Sequence, residues 1–291
     1  MSNKYFIGQQ GVGHAKNWKI ALVYIFLVTL ALVFLFPLIW MILTTFKTPD
    51  QTFNHKEIFW PTPWTMENVI KVFSETPLML FVKNSVIVTF FSIIGAVISS
   101  TLAGFAFGRL KFRFRNLLFL LVLLGMMIPS QATMIPRYLI FQKLRMIDTL
   151  IPLILPSWLA ASVQGAFYIF IVRQFVMSIP KDIDEAAKID GCGYFKIYSK
   201  IIMPLLVPAI GSILIFSFLE NWGNFLDALI YLNSESNFTL PIGIQYFQTQ
   251  DFVDWNKIMC ASLVSAVPAI VLLFSGQKYL IKGVNLSASK G

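Results

Sequence analysis

Residues 173–204 form a polar stretch of this 291-residue chain, and they lie between two long apolar segments. They include five basic and four acidic residues, whereas only 13% of the whole chain is charged. A chain needs no such stretch to cross a bilayer. We therefore expect these side chains to bind another protein through ion pairs and hydrogen bonds.

Familiar catalytic signatures are missing. The sequence has no G-x-x-x-x-G-K-[ST] phosphate-binding loop and no H-E-x-x-H zinc motif, and its two histidines are His14 and His55. The two cysteines, Cys192 and Cys260, offer neither a disulfide framework nor a zinc spacing. We therefore expect no catalytic residue, no metal site and no cofactor in this chain.

The composition indicates an integral membrane protein. The chain is 57% hydrophobic, has a mean hydropathy of +0.72 and contains 28 Phe, which leaves too little polar surface to cover a soluble globule of this size. Six nearly uncharged segments are each long enough for a helix to cross a bilayer. They are residues 20–46, 84–108, 116–136, 149–172, 201–232 and 258–277.

The charge distribution predicts an orientation. Most of the 23 Lys and Arg residues lie in the segments that would be cytoplasmic if both termini were inside, whereas acids balance bases in the outer segments. This is the positive-inside pattern. Together with the six segments, it predicts an all-α membrane protein with six transmembrane helices and both termini in the cytoplasm. The net charge of +9 is thereby explained by topology, so we expect no nucleic-acid partner.

The predicted organisation follows from these segments. Residues 66–81 are amphipathic and predict an interfacial helix, which could anchor the second span or contact a partner subunit. The regions are a cytoplasmic tail (1–19), a first transmembrane helix (20–46), an outer segment with the interfacial helix (47–83), a transmembrane core (84–280) that includes the loop 173–204, and a cytoplasmic tail (281–291).

The loop 173–204 predicts a helix, a turn and a second helix. Ser178 is a candidate N-cap, and the acids that follow favour the positive end of a helix dipole. Ala186 and Ala187 keep one face small, and Gly191 provides a left-handed terminating residue. A second helix is predicted over 194–202, with Tyr194, Tyr198 and Ile201 on one face, and Pro204 is expected to turn the chain into the fifth span.

The sequence Glu185-Ala186-Ala187, three residues, Gly191, nine residues, Ile201-x-Met203-Pro204 resembles the EAA loop of permease subunits in binding-protein-dependent ABC importers. That motif reads EAA-x3-G-x9-I-x-L-P, so Met203 in place of Leu is the single departure. Further stretches resemble the carbohydrate branch, specifically the second subunit of maltose permeases. They are Asn84-Ser85, Asp148-Thr149, Asp190-Gly191, Asn221-Trp222-Gly-Asn224-Phe225, Thr239-Leu-Pro-Ile-Gly243 and the tail from Gly283.

The resemblance implies the ABC importer permease fold, with cytoplasmic coupling helices between spans four and five. It implies a bacterial or archaeal plasma-membrane protein that works with a homologous permease subunit, two ATPase subunits that bind ATP and Mg²⁺, and an extracytoplasmic sugar-binding protein. The coupling residues it implies are Glu185, Ala186, Ala187, Asp190, Gly191 and Pro204.

The fifth predicted span contains a polar stripe. Glu220, Asn224 and Asp227 follow i, i+4, i+7 spacing, and Asn221 is adjacent, so one continuous helix would place them on one face. A charge at bilayer depth costs about 2.5–3.5 kcal/mol, which requires water or a partner. Three interpretations stay open: the lining of a sugar path, a surface buried against or paired with the partner subunit, or a position of Asp227 near the outer surface.

The sequence leaves two other classes to be weighed. A stand-alone secondary carrier would need its own coupling-ion site and would have no use for a docking loop. A membrane-embedded enzyme is disfavoured because the sequence offers no catalytic or metal constellation. The ABC importer permease, translocating an oligosaccharide by ATP-driven alternating access, is therefore the favoured hypothesis.

Overall fold

The computed structural model describes residues 17–53, 59–248 and 253–288, with side chains described for 18–53, 59–248 and 253–277. Within these ranges the chain is helical and forms no β-strand. His14 and His55 lie outside the described residues. The helices are α1 (Asn17–Thr45), α2 (Pro49–Phe53), α3 (Glu67–Ser74), α4 (Leu78–Arg109), α5 (Arg115–Gly125), α6 (Ser130–Lys143), α7 (Ile151–Trp158), α8 (Gly165–Ser178), α9 (Asp182–Ile189), α10 (Tyr194–Lys196), α11 (Met203–Leu205), α12 (Val207–Trp222), α13 (Leu226–Tyr231), α14 (Leu240–Gln245) and α15 (Trp255–Ala288).

Three described helices are long and apolar enough to cross a membrane as single elements. They are the parts of α1, α4 and α15 over Trp18–Thr45, Leu78–Arg109 and Trp255–Gln277, which confirms that the first, second and sixth predicted spans are continuous apolar helices. α15 runs on to Ala288, so the predicted tail 281–291 is helical as far as that residue.

The third and fifth predicted spans are bent helix pairs rather than straight helices. α5 and α6 meet at 100°, and the helix Tyr194–Leu205 meets α12 at 76°. The first break contains Pro129, which has an extended backbone and starts α6 in a new direction. A proline also disfavours helical geometry in the residue before it, so the helix cannot continue through Ile128. Counting each pair as one span gives up to five candidates.

The fourth predicted span and the interfacial helix also differ from expectation. Residues 149–172 divide into α7 and α8, separated by a turn in which Ala160 has a positive φ of 52°. The amphipathic stretch 66–81 forms α3 only as far as Ser74, since Pro77 starts α4 at Leu78. A hydropathy profile detects these apolar residues but not the turns that divide them.

α4 is the central helix of the bundle, and α7, α8 and α12 pack against it. Gly104 and Gly108 let α8 approach closely. A Cβ atom at Gly104 would lie 2.5 Å from Cγ1 of Val172, and one at Gly108 would lie 2.7 Å from Cγ1 of Val176. Small residues spaced four apart are the usual means of close packing between membrane helices.

One end of the bundle is joined through the start of α4. The side-chain amide of Asn84 donates to the carbonyl oxygens of Ser236 and Phe238, each at 2.9 Å, and the Ser85 hydroxyl accepts the N–H of Leu240 at 2.8 Å. These contacts join the predicted outer end of the second span to the segment that follows α13.

Asp148 binds the same outer segment. Its carboxylate accepts the backbone N–H groups of Asn233 and Ser234 at 2.9 and 2.8 Å, and also the Ser234 hydroxyl. The Ser234 hydroxyl, helped by these N–H groups, holds the pKa of Asp148 well below its usual range. The carboxylate is therefore ionised, and its hydrogen bonds hold the loop that follows α13 in place.

The C-terminal end of α1 lies at this end too. The buried amide of Asn68 donates to the carbonyl oxygens of Thr45 and Lys47 at 2.8 and 2.7 Å, and Asn256 at the start of α15 donates to that of Lys47 at 2.8 Å. The carbonyls that a helix end leaves free are thus satisfied by two side chains.

Candidate functional site

The helix α9 lies at the other end of the bundle and carries the sequence motif. It ends in a Schellman motif, since the N–H of Cys192 donates to the carbonyl of Ala187 at 2.9 Å and that of Gly191 to Lys188 at 3.0 Å. Gly191 has a φ of 76°. The predicted left-handed glycine terminator is therefore confirmed, and the glycine is needed because other residues are strained in this conformation.

The start of α9 differs from the prediction. The Ser178 hydroxyl donates to the carbonyl of Phe175 in α8 at 2.7 Å, and the N-cap position is Lys181, without a side-chain cap. The expected acids do occupy the first turn, where Asp182 and Glu185 favour the helix dipole. The predicted Ser178 cap is wrong because its hydroxyl is used to end the preceding helix.

The second half of the loop is helical but irregular. Between α10 and α11, residues Ile197–Ile202 form a π-helix, and this shifts the helical faces. Tyr198 is therefore buried whereas Tyr194 is exposed, so the predicted shared face is wrong. The bend falls at Leu206, two residues beyond Pro204, which lies in the first turn of α11.

The motif residues divide between two surfaces. Glu185, Ala186 and Asp190 are exposed. Ala187, which directly follows Ala186, is buried and packs in the core beside Cys192. The two alanines therefore do not present one common small face. Glu185, Ala186 and Asp190 are therefore motif residues of α9 and its C-cap that are accessible to a partner.

The outward surface of the loop is also apolar, which the sequence reasoning missed. Ile189 is 87% exposed and Phe195 is 76% exposed, and Tyr194 and Ile183 accompany them. Large exposed apolar side chains on a charged loop are candidate contact residues for a partner. The signal available in the sequence was Ile189, an apolar residue that directly follows Lys188 in a charged helix. An isoleucine side chain exposed to water there is unfavourable unless a partner covers it.

The base of the loop is held by an ion pair that the sequence reasoning also missed. Nε of Arg109, at the end of α4, lies 2.9 Å from Oδ2 of Asp184, and the two side chains are only 4% and 12% exposed. Nη2 of Arg109 also donates to the carbonyl of Ile179 at 2.8 Å. Nothing in the sequence pairs these residues, because they lie far apart along the chain.

A second contact fixes the loop to the same helix. The hydroxyls of Thr101 and Tyr198 are buried and lie 2.9 Å apart, and the ring of Tyr198 packs on that of Phe105 at 5.4 Å between centroids. Ile197 and Ile202 complete the buried side. The loop is thus anchored to α4 by one face and exposed on the other.

The polar residues of the fifth predicted span do not form one stripe. Helix α12 ends at Trp222, and α13 begins at Leu226, so Glu220 and Asp227 lie on separate helices. The carboxylate of Glu220 accepts the hydroxyl of Tyr168 at 2.9 Å. The expected i, i+4, i+7 face is therefore wrong, since the helix is interrupted at Gly223.

The remaining residues of this set have partners within the chain. Asp227 forms an ion pair with Arg137 of α6 at 3.5 Å and accepts the side-chain amide of Asn224 at 3.1 Å. The amide of Asn221 donates to the carbonyl of Ser217 at 2.7 Å. Each of the four predicted path residues is half-buried.

The long apolar helices define a multi-pass membrane protein. The chain belongs to the family of inner membrane components of binding-protein-dependent transport systems, whose sequence model matches residues 100–285.

Individual relatives cover nearly the whole chain. The putative ABC transporter permease protein ORF2 of Caldicellulosiruptor sp. strain Rt8B.4 is 36% identical over 280 residues, which is 96% of this chain and 99% of that protein. The arabinooligosaccharides transport system permease protein AraQ of Halalkalibacterium halodurans is 31% identical over 278 residues, 94% of this chain and 97% of that protein.

A solved structure shows the same fold. The crystal structure of a bacterial ABC transporter involved in the import of the acidic polysaccharide alginate matches with a TM-score of 0.80 at 18% identity. The match covers 92% of this chain and 99% of that chain. This confirms the ABC permease fold predicted from the sequence.

Proposed function

We propose that this chain is one of two homologous membrane-spanning subunits of an ABC importer for an oligosaccharide. It would reside in the plasma membrane of a bacterium or archaeon, with both termini and the loop 173–204 in the cytoplasm. Two ATPase subunits would bind ATP and Mg²⁺, and an extracytoplasmic binding protein would deliver the sugar. The family, and relatives such as the arabinooligosaccharide permease, support this assignment.

The observation that carries the proposal is the two-sided loop. Its inner side is fixed to α4 by the Arg109–Asp184 pair and the Thr101–Tyr198 contact, while its outer side presents Glu185 with an apolar surface. An apolar centre with a charged edge is what a partner's cleft recognises. That partner is the ATPase subunit.

Closure of the ATPase subunits would then be coupled to movement of the spans through the rigid attachment of the loop 173–204 to α4. When ATP closes the ATPase dimer, the docked loops move together, and each loop carries the helix to which it is anchored. Such contacts can shift the inward–outward equilibrium only if they differ between the two states. Glu185 would fix the docking point, Ala186 and Gly191 would allow close approach, and Ala187, Asp190 and Pro204 would shape the two loop helices.

The sugar path is assigned to Glu220, Asn221, Asn224 and Asp227. Carboxylates and amides suit sugar hydroxyls because they accept and donate hydrogen bonds. Their present partners within the chain, such as Tyr168 and Arg137, would be exchanged for substrate as the helices rearrange.

Charge reversal at the docking surface tests the coupling assignment. Glu185→Arg is expected to lower ATP-driven uptake by at least about tenfold and to reduce co-purification of the ATPase subunits, because it places a wrong charge in the interface. Glu235→Arg is the matched control, since Glu235 is also exposed but lies at the other end of the bundle. Full uptake by the Glu185 variant would contradict the assignment.

The secondary-carrier alternative has its own test. The full chain is reconstituted alone in liposomes without ATP, and sugar uptake is measured. We expect none. Uptake driven by an ion gradient under these conditions would favour the carrier over the ABC importer.

A further inference from the structure

The connection between α4 and α5 forms a shallow cavity of about 490 Å³. Its lining includes the cations Lys111, Arg115 and Lys181 and the rings of Phe112 and Phe114. Arg113 lies in the same connection, with its guanidinium 4.8 Å from the centroid of the Phe114 ring. Three cations thus line a small, partly aromatic depression, and a fourth stacks on one of its rings.

These cations lack a countercharge within the part of the chain that the structure describes. Lys111, Arg113, Arg115 and Lys181 form no ion pair there, and the buried carboxylate of Asp184 is already held by Arg109. Like charges gathered without an acid repel one another. The cluster therefore favours an anion supplied from outside the chain.

Cations at the other end of the bundle are arranged differently. Lys71 lies 2.6 Å from a carboxylate oxygen of Glu67, and Lys257 lies 2.7 Å from one of Glu75. Some cations at that end are therefore neutralised within the chain, whereas none of the three that line the cavity has a carboxylate partner among the described residues.

The position of the cavity indicates the kind of anion. It lies between the end of α4, a continuous membrane-spanning candidate, and the start of the apolar helix α5. Beside it Phe112, Phe114 and Leu117 are exposed, and the exposed apolar surface continues along α5 through Leu118 and Leu121. A basic depression that continues into a lipid-facing surface lies at the boundary of hydrocarbon and water.

We propose that this cavity binds the phosphate headgroup of an anionic phospholipid in the leaflet on the basic side of the membrane. Lys and Arg donate charge-assisted hydrogen bonds to phosphate oxygens, and basic pockets between membrane helices suit such headgroups. The acyl chains would lie along the apolar face of α5. Because Lys181 directly precedes α9, a bound lipid would also contact the base of the loop 173–204.

The test is titration of the purified full chain in neutral detergent with phosphatidylglycerol or phosphatidylcholine, followed by native mass spectrometry. Wild type is expected to retain phosphatidylglycerol preferentially. The variant Lys111→Gln/Arg115→Gln/Lys181→Gln should bind it about 100-fold more weakly, about fivefold per charge removed. Lys181→Gln alone should show about a fivefold loss, which keeps the test valid if the triple variant folds poorly.

The matched control removes three cations elsewhere. Lys83→Gln/Lys143→Gln/Arg145→Gln has the same change in charge at exposed positions near the other end, and it should keep wild-type affinity. Equal phosphatidylglycerol binding by the two triple variants would overturn the proposal. Displacement of the lipid by millimolar inorganic phosphate would instead assign the cavity to a free anion. Unchanged lipid binding with loss of ATPase co-purification would assign it to a protein partner.

Discussion

Arg109 shows how one side chain can fix a functional loop. It ends the central helix α4, and its guanidinium contacts both the Asp184 carboxylate and the carbonyl of Ile179. A buried pair of this kind adds little net stability compared with apolar residues, but removing one partner leaves a buried charge alone. The Arg109–Asp184 pair instead fixes the position of α9 relative to α4.

Asp184→Asn is therefore expected to destabilise the protein by about 3–5 kcal/mol, because Arg109 stays buried without its countercharge. The measurement is the apparent melting temperature of the purified chain. Asp182→Asn is the matched control, since it changes the same charge at an exposed position two residues away on α9. Equal melting temperatures for the two variants would show that the ion pair does not hold the loop.

The helices α4 and α8 depend on a different feature, the absence of side chains at two positions. Gly104 and Gly108 bring the α4 backbone against Val172 and Val176. The loop 173–204 begins within α8, so the closeness of this helix pair sets where the loop leaves the bundle. Packing of the spans and placement of the loop are thus determined together.

Gly104→Ala is expected to destabilise the protein by about 1–3 kcal/mol, since its methyl group would overlap Val172 in a packed interface. Thermal unfolding checks this. Gly125→Ala is the control, because that helical glycine has no neighbour within 4 Å, and there alanine should be neutral or stabilising. Adding Val172→Ala should recover part of the loss at Gly104, and a failure to do so would place the strain elsewhere.

The elements also show what a sequence can and cannot predict. Apolar length identified α1, α4 and α15, and the spacing around Gly191 identified α9 and its terminator, because these depend on local composition and backbone conformation. The breaks at Ala160 and Gly223 interrupt segments that apolar length alone predicts to be continuous. Tyr168 and Glu220 meet only in the folded bundle, so a period-based stripe could not reveal their pairing.

At the scale of the whole molecule, the contacts divide the connecting segments into two ends. Asn84 and Asp148 bind the segment after α13 at one end, and Arg109 binds the loop 173–204 at the other. Each contact joins segments that the charge pattern predicts to lie on the same side. Since the basic, unpaired residues gather at the Arg109 end, the positive-inside rule predicts that this end is cytoplasmic.

Cysteine labelling tests that orientation directly. In a Cys192→Ser/Cys260→Ala background, Lys200→Cys places a thiol on the loop and Glu235→Cys places one at the opposite end, both at exposed positions. A membrane-impermeant maleimide should label Cys at 235 in intact cells, and Cys at 200 only after the membrane is opened, because the bilayer separates the two ends. Each variant serves as the other's control for expression and reactivity. The reverse pattern would invert the topology and would place the loop on the side where no ATPase subunit could reach it.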